Sequence, residues 1–72
     1  MSQAQIWDML TYEWISTTDL ADRILRYNDR YRKNVVRAHV YKDLNQLHKY
    51  GWVEKRMVGI HAEWRKSMEA PA

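Results

Sequence analysis

The spacing of apolar residues predicts helices in the first part of the chain. Ile6, Leu10 and Trp14 lie four residues apart, which is the repeat of an amphipathic helix over about residues 3–14. A second helical repeat follows at about residues 17–26. Its start is marked by the polar run Ser-Thr-Thr-Asp, in which the Ser hydroxyl can accept a hydrogen bond from the backbone N–H three residues on.

A third and longer helix is expected from about Asn34 to Tyr50. The Asn34 side chain can cap its start, and Gly51 supplies the left-handed residue that often ends a helix. On a helical wheel, the apolar residues Val36, Val40, Leu44 and Leu47 share one face. The opposite face contains Ala38, Tyr41, Lys42, Asn45 and Lys49. One face is therefore predicted to be core, and the other polar and basic.

After this helix the hydrophobic period changes to two, which predicts a β-hairpin over about residues 52–66. With Gly59-Ile60 as the central turn residues, charged side chains on the two strands face partners of opposite charge. The predicted pairs are Arg56 with Glu63 and Glu54 with Arg65. The face predicted to pack contains Val53, Met57, Ala62 and Trp64.

Length and composition indicate one small globular domain. The 72 residues are 46% hydrophobic and 29% charged, a composition that folds. We expect the domain to span residues 1–66 and residues 67–72 to form a disordered tail with nothing to pack against. The absence of cysteine favours a reducing, cytoplasmic location, associated with the nucleoid if the source is prokaryotic. No apolar run is long enough to cross a bilayer, so no membrane partner is expected.

Charge is divided unevenly along the chain. Residues 1–22 contain four acidic residues and no Lys or Arg, whereas residues 23–66 contain all 12 Lys and Arg. The densest basic stretch, residues 23–42, interleaves these cations with tyrosines, a mixture suited to neutralising phosphates and touching bases or sugars. The basic half is thus the candidate anion-binding half. The alternative is an ordinary solvated basic surface.

The order of elements and three stretches of sequence resemble the winged helix-turn-helix family. Residues 15–21 (ISTTDLA) are similar to the cap and opening of that family's second helix. Residues 40–53 (VYKDLNQLHKYGWV) resemble its third helix, Gly stop and first wing strand, and residues 59–66 (GIHAEWRK) resemble the return strand. The resemblance implies an α+β fold: three helices, with a short strand at Ile15, followed by a two-stranded β-hairpin wing. It also implies a DNA-binding transcriptional regulator.

Double-stranded DNA is the expected partner, since the major groove admits an α-helix with a basic face. The resemblance places base contacts on the exposed N-terminal half of the third helix, at Asn34, Arg37, Ala38 and Tyr41. Arg37 can bond two acceptors of guanine, and Asn34 can pair with adenine. Two alternatives stay open: Arg37 as a solvated helix residue, and Tyr41 as a residue packed on the loop at Tyr27 and Tyr31.

Six basic residues are candidates for phosphate contacts. They are Arg32, Lys33, Lys42, Lys55, Arg56 and Arg65. The hairpin tip departs from the family pattern, because it presents Val58 and Ile60 where a wing usually carries Arg or Lys. We therefore expect the tip to contact a protein partner or a second copy of the chain. The first helix, with Trp7 and Met9, is the other candidate surface for a homodimer. The alternative function is a winged-helix protein-interaction module without DNA binding.

Catalysis is not expected from this sequence. No Ser-His-Asp arrangement, paired-carboxylate pocket or Gly-rich phosphate loop can be assembled from it. His39, His48 and His61 have no cysteine partners, so neither a metal site nor a cofactor is expected. The four Trp residues are predicted to pack in the core rather than to form a stacking platform for single strands.

Overall fold

The computed structural model describes residues 2–27 and 32–68 and has an α+β architecture. Along the chain the elements are α1 (Gln3–Met9), β1 (Ile15–Ser16), α2 (Thr17–Tyr27), α3 (Lys33–Lys49), β2 (Val53–Val58) and β3 (His61–Lys66). The strands form an antiparallel sheet in the order β1-β3-β2, so the hairpin gains a third strand. The predicted α+β class is confirmed. Residues 28–31 of the link before α3, and residues 69–72 of the predicted tail, lie outside the described part.

The first helix is shorter than predicted. α1 ends at Met9 instead of Trp14, because Leu10 adopts an extended conformation with ψ 157° and buries its side chain in the core. The Thr11 carbonyl then accepts a hydrogen bond from the Lys66 backbone N–H at 2.9 Å. The chain therefore leaves α1 to run beside β3, and the apolar repeat continues past the end of the helix.

The starts of the other two helices differ in how they are capped. At α2 the prediction is confirmed, since the Ser16 hydroxyl accepts a hydrogen bond from the Asp19 backbone N–H at 3.1 Å. The predicted Asn34 cap of α3 is wrong. α3 begins one residue earlier, at Lys33, and its N-cap residue is Arg32, which makes no side-chain capping bond. Asn34 lies within the first turn of α3 with its side chain exposed.

The end of α3 is a Schellman motif. Gly51 has a φ of 83°, the left-handed conformation predicted for it. The Trp52 N–H donates to the Leu47 carbonyl at 2.9 Å, and the Gly51 N–H donates to the His48 carbonyl at 3.0 Å. These bonds satisfy the last carbonyl groups of the helix and turn the chain directly into β2.

The hairpin has the predicted register. Arg56 lies opposite Glu63 and Glu54 lies opposite Arg65. Both pairs are bonded: Arg56 Nε is 2.7 Å from Glu63 Oε1, and Arg65 Nε bonds Glu54 Oε2. Gly59 has a φ of 63°, as the first central residue of a type II′ turn requires.

The core lies between the helices and one face of the sheet. Its buried apolar residues are Ile6, Leu10, Ile15, Leu20, Ala21, Ile24, Val36, Val40, Leu44, Leu47, Val53, Ala62 and Trp64. Trp64 is fully buried and donates its indole N–H to Thr17 Oγ1 at 2.8 Å.

The expectation that Met57 packs is wrong, because burial falls along β2 towards the turn and leaves the Met57 side chain 57% exposed. Trp7 packs against the core from its edge, whereas Trp52 is 45% exposed and does not belong to the core.

Candidate nucleic-acid interface

An open groove of about 360 Å³ lies between the exposed face of α3 and the hairpin turn. From α3 it is lined by Asn34, Arg37, Ala38 and Tyr41. From α2, the hairpin turn and β3 it is lined by Thr17, Thr18, Ile60, His61 and Ala62. The structure thus brings together on one surface all of the residues that sequence analysis proposes for base contacts.

Helical geometry explains why these four residues share the groove. Val36 and Val40 fix the opposite face of α3 in the core, where they are 5% and 0% exposed. The residues that line the groove therefore turn towards solvent over two successive turns. Arg37 is exposed, and within residues 2–27 and 32–68 it takes part in no ion pair. Its guanidinium is thus available to an external acceptor.

The six candidate phosphate contacts fall into two groups. Arg32 and Lys42 are exposed, and neither forms an ion pair with any residue that the structure describes. The other four contact groups within the protein. Lys33 Nζ is 3.2 Å from Asp22 Oδ1, and Lys55 Nζ is 3.1 Å from Asn45 Oδ1. The remaining two, Arg56 and Arg65, lie in the hairpin pairs described above.

The two hairpin arginines also hold Trp14. Arg56 Cζ and Arg65 Cζ each lie 4.4 Å from the centroid of the Trp14 ring, within the range of a cation–π contact. Both guanidinium groups belong to the sheet face that is turned away from Trp64 and the core, because side chains alternate along a strand. Trp14 is therefore half-buried beneath charged groups, and the prediction that it packs in the core is wrong.

Tyr41 contacts the hairpin. Its ring lies edge-on to Trp64, with centroids 5.9 Å apart and an interplanar angle of 77°. The neighbouring amide of Asn45, followed by the positive charge of Lys55, lowers the pKa of Tyr41 from its ordinary value. The alternative prediction packs Tyr41 on Tyr27 and Tyr31. Tyr27 is 87% exposed. Tyr31 lies outside the described residues.

Several residues of this surface were not predicted from the sequence. Thr18 and His61 line the groove, and Asn45 bonds Lys55 across the junction of α3 and the hairpin. The helical wheel places Asn45 on the polar face, which is a weak signal for its role. The contact of Lys55 with α3 depends on how the hairpin packs, and the periodicity of a single strand does not contain that information.

Two further surfaces bear on possible partners. At the hairpin tip, Val58 is 49% exposed and Ile60 is 89% exposed, so the tip presents apolar groups as expected from the sequence. On α1, Trp7 and Met9 are partly covered by the core. The Trp7 ring is also held edge-on to Trp52 at 6.0 Å. The tip is therefore the more exposed of the two candidate protein-contact surfaces.

Comparison with protein-family models, curated proteins and solved structures finds no match to this chain. In the described part of the chain, no group of three or more His, Asp or Glu side chains is placed to hold a metal ion. Over those same residues, no helix has the length and apolar character needed to cross a membrane.

Proposed function

We propose that this chain is a double-stranded DNA-binding protein of the winged helix-turn-helix class. It acts as a small transcriptional regulator and inserts α3 into the major groove. One observation supports this proposal above the others: Asn34, Arg37, Ala38 and Tyr41 share one solvent-facing groove beside an exposed hairpin turn. The β2–β3 hairpin takes the place of the wing.

The chemistry of the groove suits base edges. Arg37 carries a planar group that bonds guanine O6 and N7 together, and Asn34 offers the donor and acceptor that adenine requires. Ala38, on the turn of helix after Asn34, is small enough to let a base pair approach closely or to contact a thymine methyl group. These side chains read sequence in the proposed complex, whereas phosphate contacts position α3.

The phosphate contacts differ in how much each contributes. Arg32 is the N-cap residue of α3, and Lys42 lies near the middle of the helix. Both side chains are exposed, so their charges are available to the DNA backbone. Lys33, Arg56 and Arg65 already pair with carboxylates inside the protein. Breaking those pairs offsets part of the gain from a new phosphate contact. We therefore assign the main electrostatic contribution to Arg32 and Lys42.

A second candidate function is a protein-interaction module, and the exposed tip favours it. Ile60 is 89% exposed beside the half-exposed Val58. A buried contact would remove this apolar surface from water. The interaction module is the alternative without DNA binding. In the DNA-binding proposal, by contrast, the tip, or Trp7 and Met9 on α1, would join two copies of the chain on a palindromic DNA site.

Titration of random duplex DNA with the protein by fluorescence anisotropy, from low salt to 200 mM, tests the proposed function. We expect affinity to fall steeply with salt, with a slope of log K against log salt of about −0.9 for each phosphate contact. Tryptophan emission serves as the control for folding. No binding at low salt by a folded protein would refute DNA binding and favour the interaction module.

A pair of variants then separates base contacts from phosphate contacts. Arg37→Ala should cost about 1–3 kcal/mol on a preferred site and relax its sequence preference. Lys42→Ala should weaken binding to all duplexes alike and reduce the salt slope by about one unit. Both residues lie exposed on α3, so each variant controls for the other's effect on the fold. Unchanged binding by both variants would refute the assignment of α3.

A further inference from the structure

Lys55 occupies an unusual position for a surface lysine. It lies on the same sheet face as Trp64, since the two residues are directly opposed in the β2–β3 register. Its ammonium nitrogen is 5.1 Å from the Trp64 ring centroid and 5.4 Å from the Tyr41 ring centroid. The same nitrogen donates to Asn45 Oδ1 at 3.1 Å. One cation thus contacts two aromatic rings and one amide from two different elements.

Asn45 completes the connection from the side of α3. Its amide nitrogen donates to the Tyr41 carbonyl at 3.1 Å, while its amide oxygen accepts from Lys55. These two bonds use different atoms of one amide, so they orient the amide group completely. The Tyr41 ring is also held edge-on against Trp64 at 5.9 Å. The cluster of Tyr41, Asn45, Lys55 and Trp64 is called the bridge below.

The bridge lies where α3 meets the hairpin, at the end of the groove that contains Tyr41. One of the three ammonium N–H groups of Lys55 already donates to Asn45 and the ammonium lies near two aromatic rings, so a phosphate contact would compete with these contacts. Lys55 is half-buried, whereas Lys42 on α3 is exposed. The two lysines therefore have different roles, although their charges are the same and both were expected to contact phosphates.

We propose that Lys55 is a positioning residue, which joins the hairpin to α3 through Asn45 and sets the orientation of Tyr41 in the groove. The partner of Tyr41 rests on the proposed function: in the DNA complex it is a base edge of the duplex. In this arrangement Lys55 affects DNA binding through the shape of the groove. It adds no phosphate contact to the complex.

The Tyr41 phenol gives a readout of the bridge that needs no DNA. The carbon-13 NMR signal of each tyrosine Cζ is followed against pH in the whole chain, and Tyr41→Phe identifies the signal of Tyr41 among the five tyrosines. Lys55→Met removes the charge but keeps much of the length of the side chain. We expect this variant to raise the pKa of Tyr41 towards about 10. Lys42→Met is the matched control and should leave that titration unchanged.

Asn45→Ala provides a second variant in case Lys55→Met disturbs folding. It removes the acceptor of the Lys55 hydrogen bond, and Asn45 is only half-buried on α3, so the substitution leaves the core intact. We expect it to shift the Tyr41 titration in the same direction, and the Asn45→Ala, Lys55→Met double variant to shift it by less than the sum of the two single changes. Strict additivity would mean that the two residues act separately, and the bridge would be rejected.

Salt dependence of duplex binding distinguishes positioning from a phosphate contact. We expect Lys55→Met to lower affinity by the same factor at every salt concentration, with an unchanged slope. Lys42→Met should reduce the slope by about 0.9. A reduced slope for Lys55→Met together with an unmoved Tyr41 titration would overturn the proposal. If the wild-type chain binds no duplex, the proposed function fails, and the Tyr41 titration still decides whether the bridge exists.

Discussion

The buried hydrogen bond between Trp64 and Thr17 should contribute measurably to the free energy of unfolding. The Trp64 indole N–H donates to Thr17 Oγ1 at 2.8 Å, and the Thr17 hydroxyl donates to the Ala62 carbonyl at 3.4 Å. Trp64 is 0% exposed and Thr17 is 9% exposed, so water does not replace a lost partner. This bond fixes the indole against which Tyr41 and Lys55 pack.

Thr17→Val removes the acceptor while keeping nearly the same volume. No cavity forms, and the main cost is that of a buried indole N–H left without a partner, about 1–3 kcal/mol, while the long bond from Thr17 to the Ala62 carbonyl is lost as well. In a domain of this size, each kcal/mol lowers Tm by about 4–8 °C. Thermal unfolding followed by circular dichroism measures the change directly.

Thr17→Ser is the matched control, because it keeps the hydroxyl and loses a methyl group. That loss costs about 0.8 kcal/mol. Because of the lost hydrogen bonds, we expect the valine variant to be less stable than the serine variant, although valine is closer to threonine in volume. A valine variant as stable as wild type, or more stable than the serine variant, would refute the reasoning.

Gly59, Tyr41 and the hairpin tip each allow a further test. Gly59→Ala should destabilise the domain by about 1–3 kcal/mol in thermal unfolding from backbone strain alone, since φ is +63° and nothing lies within 4 Å of an added Cβ. The lowered pKa of Tyr41 means that its ionised form favours the folded state. This contribution is fully present above about pH 10 and is lost as pH falls through the folded-state pKa. Denaturant unfolding should therefore show that the stability of wild type relative to Tyr41→Phe increases from pH 8 to 11. Val58→Ser with Ile60→Ser should leave unfolding unchanged and abolish any self-association seen by sedimentation; unchanged self-association would remove the tip from the possible interfaces.

Local chemistry explains which parts of the fold were predictable. The hairpin register follows from the turn at Gly59 and two opposed charge pairs, all within a short segment. The end of α3 follows from Gly51, because a left-handed residue there is a local requirement. The end of α1 was not predictable in this way. Trp14 continues the helical spacing, but the chain leaves the helix at Leu10 to join the sheet.

The candidate site shows the same division. The exposed face of α3 could be predicted, since Arg37 and Ala38 oppose residues that periodicity assigns to the core. The bridge could not, because Asn45 and Lys55 belong to different elements and meet only when the hairpin docks on α3. The charge of Lys55 indicated a phosphate contact, whereas its surroundings indicate a structural role. Residue type limits the chemistry of a side chain, and packing decides which contact it makes.

In the proposed complex, duplex DNA occupies the groove between α3 and the hairpin turn. Amide chemical shifts of nitrogen-15-labelled protein, followed by NMR as a short duplex is added, test it residue by residue. We expect the largest shifts at residues 34–41 and 59–62, with little change along α1 (Gln3–Met9). Shifts concentrated on α1, or none at protein concentrations near 100 micromolar and low salt, would contradict it, since even non-specific DNA binding has a Kd of about 10⁻⁴–10⁻⁶ M.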